Sequence, residues 1–385
     1  MSSARSWQHR LDSVTGGPTI SMRFSIAGRL NVRYIGTDCP TGRWAARIAR
    51  GMEPPTPGPD DITIEFRPGV RPQGRSLPPI NLGPTMNGIW VADHLDRAAW
   101  IPFHDLFSEP VVVDSDMDAR FFCNWILHPV VRAALWRKGV GMYRGAGAAV
   151  NDHRVCIAAW TATGKSRILF ELLRRGHEYI ADDWMALSAD GLVSPMSSQV
   201  DFRDDQRSYV DSSRWPGRRS VIRPLMVKMT RWASGATRRW GNLSTGLDKL
   251  ADAAWKAGWQ KSDLATLFPH AAVAGAGPLD ILVVLASPGV QIPSRADVPE
   301  VMAACVSGEY GFNEMEAAYR FSRPGKLSEP LYPRFETNRD FAAQALQGTR
   351  VMVVPFSGSF DDVEAVANMI EHMGAGLRRS QEGVA

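Results

Sequence analysis

One stretch constrains this chain more than any other. Residues 153–184 read HRVCIAAWTATGKSRILFELLRRGHEYIADDW. An apolar run, RVCIAAW, has the length of a buried strand and leads into a short loop. The segment GKSRILFELLRRG then places its apolar residues at helical spacing, and Gly176 fits the C-cap of that helix. EYIADDW is a further strand, and MALSADGLVS reads as a strand, an Asp-Gly turn and a strand. Strand, loop, helix and strand follow one another at the close spacing of a single α/β supersecondary unit. MYRGAGAAV, just upstream, reads as one more strand, joined to RVCIAAW by a turn at Asn151-Asp152-His153.

The flanks are organised around this unit. The 385 residues suit two ordinary domains, or one large domain with an appendage. Residues 1–20 read as a loose tail. Residues 21–138 read as a smaller mixed α+β lobe, with two strands around Ala27-Gly28, a helix over Thr41–Met52 and strands at DITIEF, GIWVAD and PVVVDSD. A helix over Asp118–Lys138 closes that lobe, with a break expected near Pro129. Residues 139–375 form the larger domain. In it, helical stretches are expected near Leu247–Gly258 and Lys261–Phe268, strands at DILVVLAS and TRVMVVPF, and helices at VPEVMAACV and Asp361–Met373. Residues 376–385 read as a second tail.

Composition excludes several classes. A formal charge of +4 is small for this length and argues against nucleic acid as a partner. The four cysteines, Cys39, Cys123, Cys156 and Cys305, are far apart and have no metal-ligand spacing, which suits buried thiols in a reducing compartment. The first 18 residues lack the apolar core of a secretory signal, and no window reaches the length of a membrane span. A cytoplasmic protein with no membrane partner is the expectation.

The loop Ala159-Trp160-Thr161-Ala162-Thr163-Gly164-Lys165-Ser166 fits the phosphate-loop pattern GxxxxGK[ST] at its last three fixed positions, with Ala159 in place of the first glycine. Backbone N–H groups of Thr161, Ala162, Thr163, Gly164 and onward through Arg167 would wrap a β-phosphate, helped by the positive end of the following helix. Lys165 would reach the β- and γ-oxygens, and the Ser166 hydroxyl would join a Mg²⁺ shell. The bland alternative is a strand–turn–helix that merely contains Gly-Lys-Ser; the strand before, the helix after and the acids beyond favour phosphate binding. Asp182 and Asp183 end the next strand, where a carboxylate holds Mg²⁺ in such units. Consecutive strand residues point to opposite faces, so both enter one site only if the chain bends there. One would then hold metal while the other accepts a proton; the alternative is a turn residue facing solvent.

At this point a family is recognisable. Residues 144–184, RGAGAAVNDHRVCIAAWTATGKSRILFELLRRGHEYIADDW, resemble the catalytic core of HPr kinase/phosphorylase, in which a strand pair runs into a P-loop, a helix, "RGH" and a strand ending in a double aspartate. The resemblance covers about forty residues. It implies an α/β (α+β) fold with a P-loop nucleotide-binding core of the HPr kinase C-terminal and phosphoenolpyruvate carboxykinase-like kind, and a kinase using ATP and Mg²⁺. It implies Lys165 on the nucleotide, Ser166 and Asp183 at the metal, and Asp182 and Asp183 in metal binding and proton abstraction. Ala159 and Ala162 stand where the family loop has glycines, and Arg144 stands where the family carries a histidine near the transferred phosphate. Arg144 either neutralises γ-phosphate charge or is a surface residue of a hairpin.

The acceptor implied is a hydroxyl on a small metabolite or a peptide, in a biosynthetic pathway; relatives of this fold often assemble, so a homo-oligomer is compatible. The competing reading is a nucleotide-binding sensor or scaffold with a degenerate P-loop, but Lys165, Ser166, Asp182 and Asp183 are all retained. No NKxD motif supports a GTPase. Between Arg214 and Gly246 there are eight basic residues and no acid, with Trp215, Trp232 and Trp240 interleaved. Arg218 and Arg219 in this run are candidate contacts to an anionic substrate or nucleotide; a solvated face is the alternative.

Overall fold

The computed structural model describes residues 19–72, 81–85, 88–93, 95–103, 109–159, 163–211, 260–286, 293–307, 312–322 and 330–382. The helical stretch expected near Leu247–Gly258 and the basic run from Arg214 to Gly246 lie outside these.

The N-terminal part is a seven-stranded mixed sheet. It comprises β1 (Thr19–Ile26), β2 (Leu30–Thr37), β3 (Ile62–Arg67), β4 (Asn81–Thr85), β5 (Gly88–Ala92), β6 (Ala98–Pro102) and β7 (Val111–Asp114), in the order β1-β2-β3-β7-β6-β5-β4. The first strand thus begins within the stretch read as a tail. The β1–β2 hairpin turns where Ala27 and Gly28 both take positive φ, 57° and 59°, as tight hairpins require. Helix α1 (Pro40–Ile48) starts with proline in its first turn, where a missing N–H costs nothing.

A helix in three parts joins this sheet to the rest: α2 (Ala119–Phe122), a π-helical turn (Cys123–Leu127) and α3 (His128–Arg137). The break expected at Pro129 does not occur. The turn before it is widened, so the absent proline N–H falls where the hydrogen-bond pattern is already changing. Phe122 packs edge-on against Phe66 of β3, with centroids 5.5 Å apart.

The larger sheet comprises β8 (Val140–Arg144), β9 (Ala146–Val150), β10 (His153–Ala158), β11 (Glu178–Ala181), β12 (Trp184–Ser188), β13 (Leu192–Ser194), β16 (Gly277–Ala286) and β17 (Arg350–Pro355). Its order is β11-β9-β10-β16-β13-β12-β8, with β17 also on β16. Strands β10, β16 and β17 run parallel. Helix α4 (Lys165–Arg174) connects β10 to β11. The pair β14 (Gln199–Phe202) and β15 (Gln260–Asp263) forms a separate ribbon, so Lys261–Asp263, read as the start of a helix, are strand. Only α5 (Leu264–Leu267) is helical there. Helices α6 (Val298–Ser307), α7 (Phe312–Ser322) and α8 (Phe335–Ala345) precede β17, and α9 (Phe360–Glu382) follows it. The last helix continues past residue 376, through most of the stretch read as a tail.

The central strands are buried on both faces, which is why they read as unbroken apolar runs. From β10, Cys156 and Ala158 enter a core shared with the N-terminal sheet. Val155 and Ile157 enter the opposite core against α4 and α9. Leu282 and Val284 of β16 repeat the first pattern, and Ile281, Val283 and Leu285 the second. The alternation fixes register, because a one-residue slip would exchange the two cores. The four cysteines are buried and none forms a disulfide. Among the described residues no helix is long and apolar enough to cross a membrane.

Candidate functional site

The phosphate loop ends at a residue that only glycine can be. Gly164 has φ +115°, and a Cβ there would lie 2.7 Å from a ring carbon of Phe356. Its left-handed backbone turns the chain from the loop into α4, whose first residues are Lys165 and Ser166. Lys165 is buried, and its ammonium group donates to the Ala159 carbonyl at 2.8 Å. It thus reaches from the start of the helix back to the end of β10 and closes the mouth of the loop. Ala159 is not among the residues held at positive φ, so alanine in place of the pattern's first glycine brings no backbone conflict. Arg167 donates to the Gly358 carbonyl at 2.5 Å. Residues 356–358, beyond β17, therefore abut the loop. Thr161 and Ala162, like Trp160, lie outside the described residues.

Two strands break opposite each other beside this loop. The run MYRGAGAAV, read as one strand, divides at Gly145 into β8 and β9, and EYIADDW divides at Asp182-Asp183 into β11 and β12. The breaks are tied together: the Gly145 N–H donates to the Asp183 carbonyl at 3.1 Å. Asp183 takes φ +74°. That left-handed step supplies the bend two consecutive acids need to serve one site.

Asp182 is buried and fully engaged. One carboxylate oxygen accepts the Ser166 hydroxyl at 2.7 Å, and the other accepts the Asp201 N–H, also at 2.7 Å. The Asp182 N–H donates to the Tyr179 hydroxyl at 2.9 Å, which itself donates to the Gln199 carbonyl at 2.6 Å. Burial, reinforced by the charge of Asp182, pushes the Tyr179 phenol well above its ordinary range, so it remains a donor. Asp182 also lines a cavity of about 20 Å³, together with His128, Trp184, Gln199, Phe24 and Tyr34. That is room on the scale of one water molecule.

Asp183 pairs with Arg144. The two side chains are 21% and 11% exposed, so Arg144 is no surface residue of a hairpin. Its guanidinium lies over the Trp184 ring at 4.5 Å, and Trp184 is in turn packed by Phe312 and His128. The register puts Arg144 directly opposite Trp184.

Ser166 thus meets Asp182 beside Lys165, and Arg144 meets Asp183 at the adjoining bend, at the ends of β8, β10 and β11 and the start of α4. Arg218 and Arg219 lie outside the described residues. Sequence reasoning missed Tyr179, Asp201 and the Phe356–Gly358 turn. Asp201 sits in QVDF, whose alternation marks a strand but not a site, and Phe356 follows a strand that looks like any other core strand. Among the described residues no group of three or more His, Cys, Asp or Glu is placed to hold a metal alone. The donors present are a serine hydroxyl and one or two carboxylates. Such hard oxygens fit Mg²⁺, which keeps waters and takes its remaining ligands from phosphates.

No family model matches the chain, and no curated protein matches it. Among solved structures it is similar to the HPr(Ser) kinase/phosphatase from Coxiella burnetii, at 14% identity and a TM-score of 0.26, over 63% of this chain and 98% of that one. A likeness this loose carries no weight for the site, whose chemistry rests on its own geometry.

Proposed function

We propose that this chain is an ATP-dependent phosphotransferase that moves the γ-phosphoryl group to a hydroxyl of a small metabolite or a peptide, in a biosynthetic pathway. The observation that carries the reading is the hydrogen bond from Ser166 to Asp182. It joins a hydroxyl at a phosphate-type loop to a carboxylate at the end of the next strand, the pairing that positions Mg²⁺ beside a nucleotide.

Bound MgATP would supply the phosphoryl group and the cation that neutralises it. Ser166 and Asp182 hold the metal side of the site. Lys165 gives up the Ala159 carbonyl and turns its ammonium group to the phosphate oxygens, where charge grows in the transition state. Asp183, at the bend, accepts the proton of the acceptor hydroxyl. Tyr179 and the Asp201 N–H keep the Asp182 carboxylate in one orientation.

Calorimetry with MgATP tests the nucleotide half, and ATP consumption over a panel of hydroxyl-bearing metabolites and peptides tests the transfer half. Mg²⁺-dependent nucleotide binding that is lost in Lys165→Ala, with turnover on at least one acceptor, is the expected result. Absence of Mg²⁺-dependent binding overturns the reading. Binding without turnover on any acceptor leaves the sensor or scaffold.

A further inference from the structure

The pairing of Arg144 with Asp183 has the form of an occupied cation site. The Asp183 carboxylate is held by a guanidinium, and two contacts and one backbone turn keep it there. The backbone bond from Gly145 to the Asp183 carbonyl fixes the two chain segments against each other. The left-handed turn at Asp183 aims its side chain toward Arg144. The Trp184 ring supports the flat of the guanidinium, while its N–H edge is what meets anions. The indole holds the guanidinium over its ring, and the anion that meets its N–H groups can change while that contact is kept.

We infer that Arg144 masks Asp183 from cations in the nucleotide-free protein and transfers its edge to the γ-phosphate when nucleotide enters, releasing Asp183 to the reaction. This rests on the phosphotransferase reading of the site. One guanidinium then serves two anions in turn. A free cation meets a neutralised pair at Asp183 and is left only the Ser166–Asp182 side of the site. The acid that accepts the acceptor's proton is exposed only when a phosphoryl group is present to be transferred.

The test reads Mn²⁺ binding alone, by electron paramagnetic resonance, and binding of a non-hydrolysable ATP analogue with Mg²⁺, by calorimetry, on the full chain. Removing a positive charge a few ångströms from a cation site should tighten free Mn²⁺ binding by about tenfold or more. Arg144→Gln should therefore bind free Mn²⁺ more tightly and the analogue more weakly than the wild type. An arginine that only held the fold together would weaken both. Adding Asp183→Asn to Arg144→Gln should cancel the gain for Mn²⁺. Asp183→Asn alone should leave the analogue bound at least as tightly, since Arg144 then has no Asp183 carboxylate to leave.

If thermal melts show that Arg144→Gln does not fold, Arg144→Lys keeps the charge and should exclude free Mn²⁺ as the wild type does, and the Asp183→Asn arm stands independently. Mn²⁺ binding no tighter in a folded Arg144→Gln, or an analogue bound more weakly by Asp183→Asn, overturns the inference. The Mn²⁺ arm needs no nucleotide. Tightened Mn²⁺ with no binding of the analogue by the wild type would instead sink the phosphotransferase reading and leave the masking of Asp183 in place.

Discussion

The hydroxyl of Ser166 and the carboxylate of Asp182 meet at 2.7 Å although 16 positions of sequence separate them. Helix α4, residues 175–177 and β11 account for that separation. The helix leaves the loop at Gly164 and returns the chain so that β11 ends beside its own starting point. Anything that disturbs the Gly164 turn or the bend at Asp183 therefore moves one of these groups away from the other.

Gly164→Ala should damage both fold and site. It forces a side chain into φ +115° and within 2.7 Å of the Phe356 ring. A non-glycine residue in such a conformation costs about 1–3 kcal/mol before any clash is counted. Chemical denaturation should show a loss of at least that order, and nucleotide binding should fall with it. Replacing Phe356 by Leu in the same chain should recover only the clash, because the backbone strain remains.

Lys165→Met should separate stability from chemistry. The methionine keeps most of the buried stem and loses the ammonium group. The fold loses the hydrogen bond to the Ala159 carbonyl, worth about 1 kcal/mol. Turnover should fall by about 10²–10³-fold, the scale for removing one donor from a transition-state site. Thermal melts and an ATP-consumption assay on the same preparation check both halves; wild-type turnover would exclude Lys165 from the chemistry.

How far the sequence discloses this site depends on what each contact is made of. Lys165, Ser166 and the two aspartates are legible because their spacing is set by one strand, one helix and one loop. The bend that unites Asp182 and Asp183 is not, because a left-handed aspartate looks like any other aspartate in a list of residues. Gly145, which in the sequence continues a strand, is where that strand divides. Tyr179 reads as a core aromatic, and its hydroxyl matters only because β14 passes over it. Arg144 could be read as a surface residue until Trp184 was found beneath it. The same holds for the fold. Strands buried on both faces are plain in DILVVLAS, whereas β15 is hidden in a polar segment that pairs across a long gap with β14.

Acid should loosen the helix that carries the phosphate loop. Glu371 of α9 accepts from Arg175 at 2.7 Å and lies 2.8 Å from the His177 ring nitrogen. Burial raises its carboxyl, but the bonds from His177 and Arg175 outweigh that and hold it below the ordinary 4.5. Glu171, buried on α4, is held down in the same way by Arg174 and Arg175. A depressed carboxylate contributes stability that is complete above its unfolded value and is lost as pH falls through the folded one. Wild-type melting temperature should therefore drop as pH goes from about 7 to about 3. Glu371→Gln should start lower at neutral pH and drop less. A parallel shift of both proteins would show that this contact has no part in acid sensitivity.

Asp182→Asn and Asp183→Asn should part company, because the two acids have different neighbours. Both oxygens of Asp182 accept hydrogen bonds, from Ser166 and from the Asp201 N–H. An asparagine can keep its carbonyl oxygen on the Asp201 N–H only by turning its NH₂ to the Ser166 hydroxyl, which must then accept and turn its own proton away. The charge-assisted bond is lost, at about 1 kcal/mol, and so is a charge on the metal side of the site. Asp182→Asn should thus lose stability and Mg²⁺-dependent nucleotide affinity together. Asp183 has Arg144 as its partner at a bend that is 21% exposed, and asparagine tolerates the left-handed backbone there. Asp183→Asn should fold normally, keep its nucleotide affinity and lose turnover by about 10²–10⁴-fold, as removal of a general base does. Denaturation, calorimetry with MgATP and turnover on the two proteins decide the matter. If the losses are exchanged, with affinity falling in Asp183→Asn and only turnover in Asp182→Asn, the assignment of metal side and base must be reversed. If neither protein differs from the wild type, the acids have no role in the reaction.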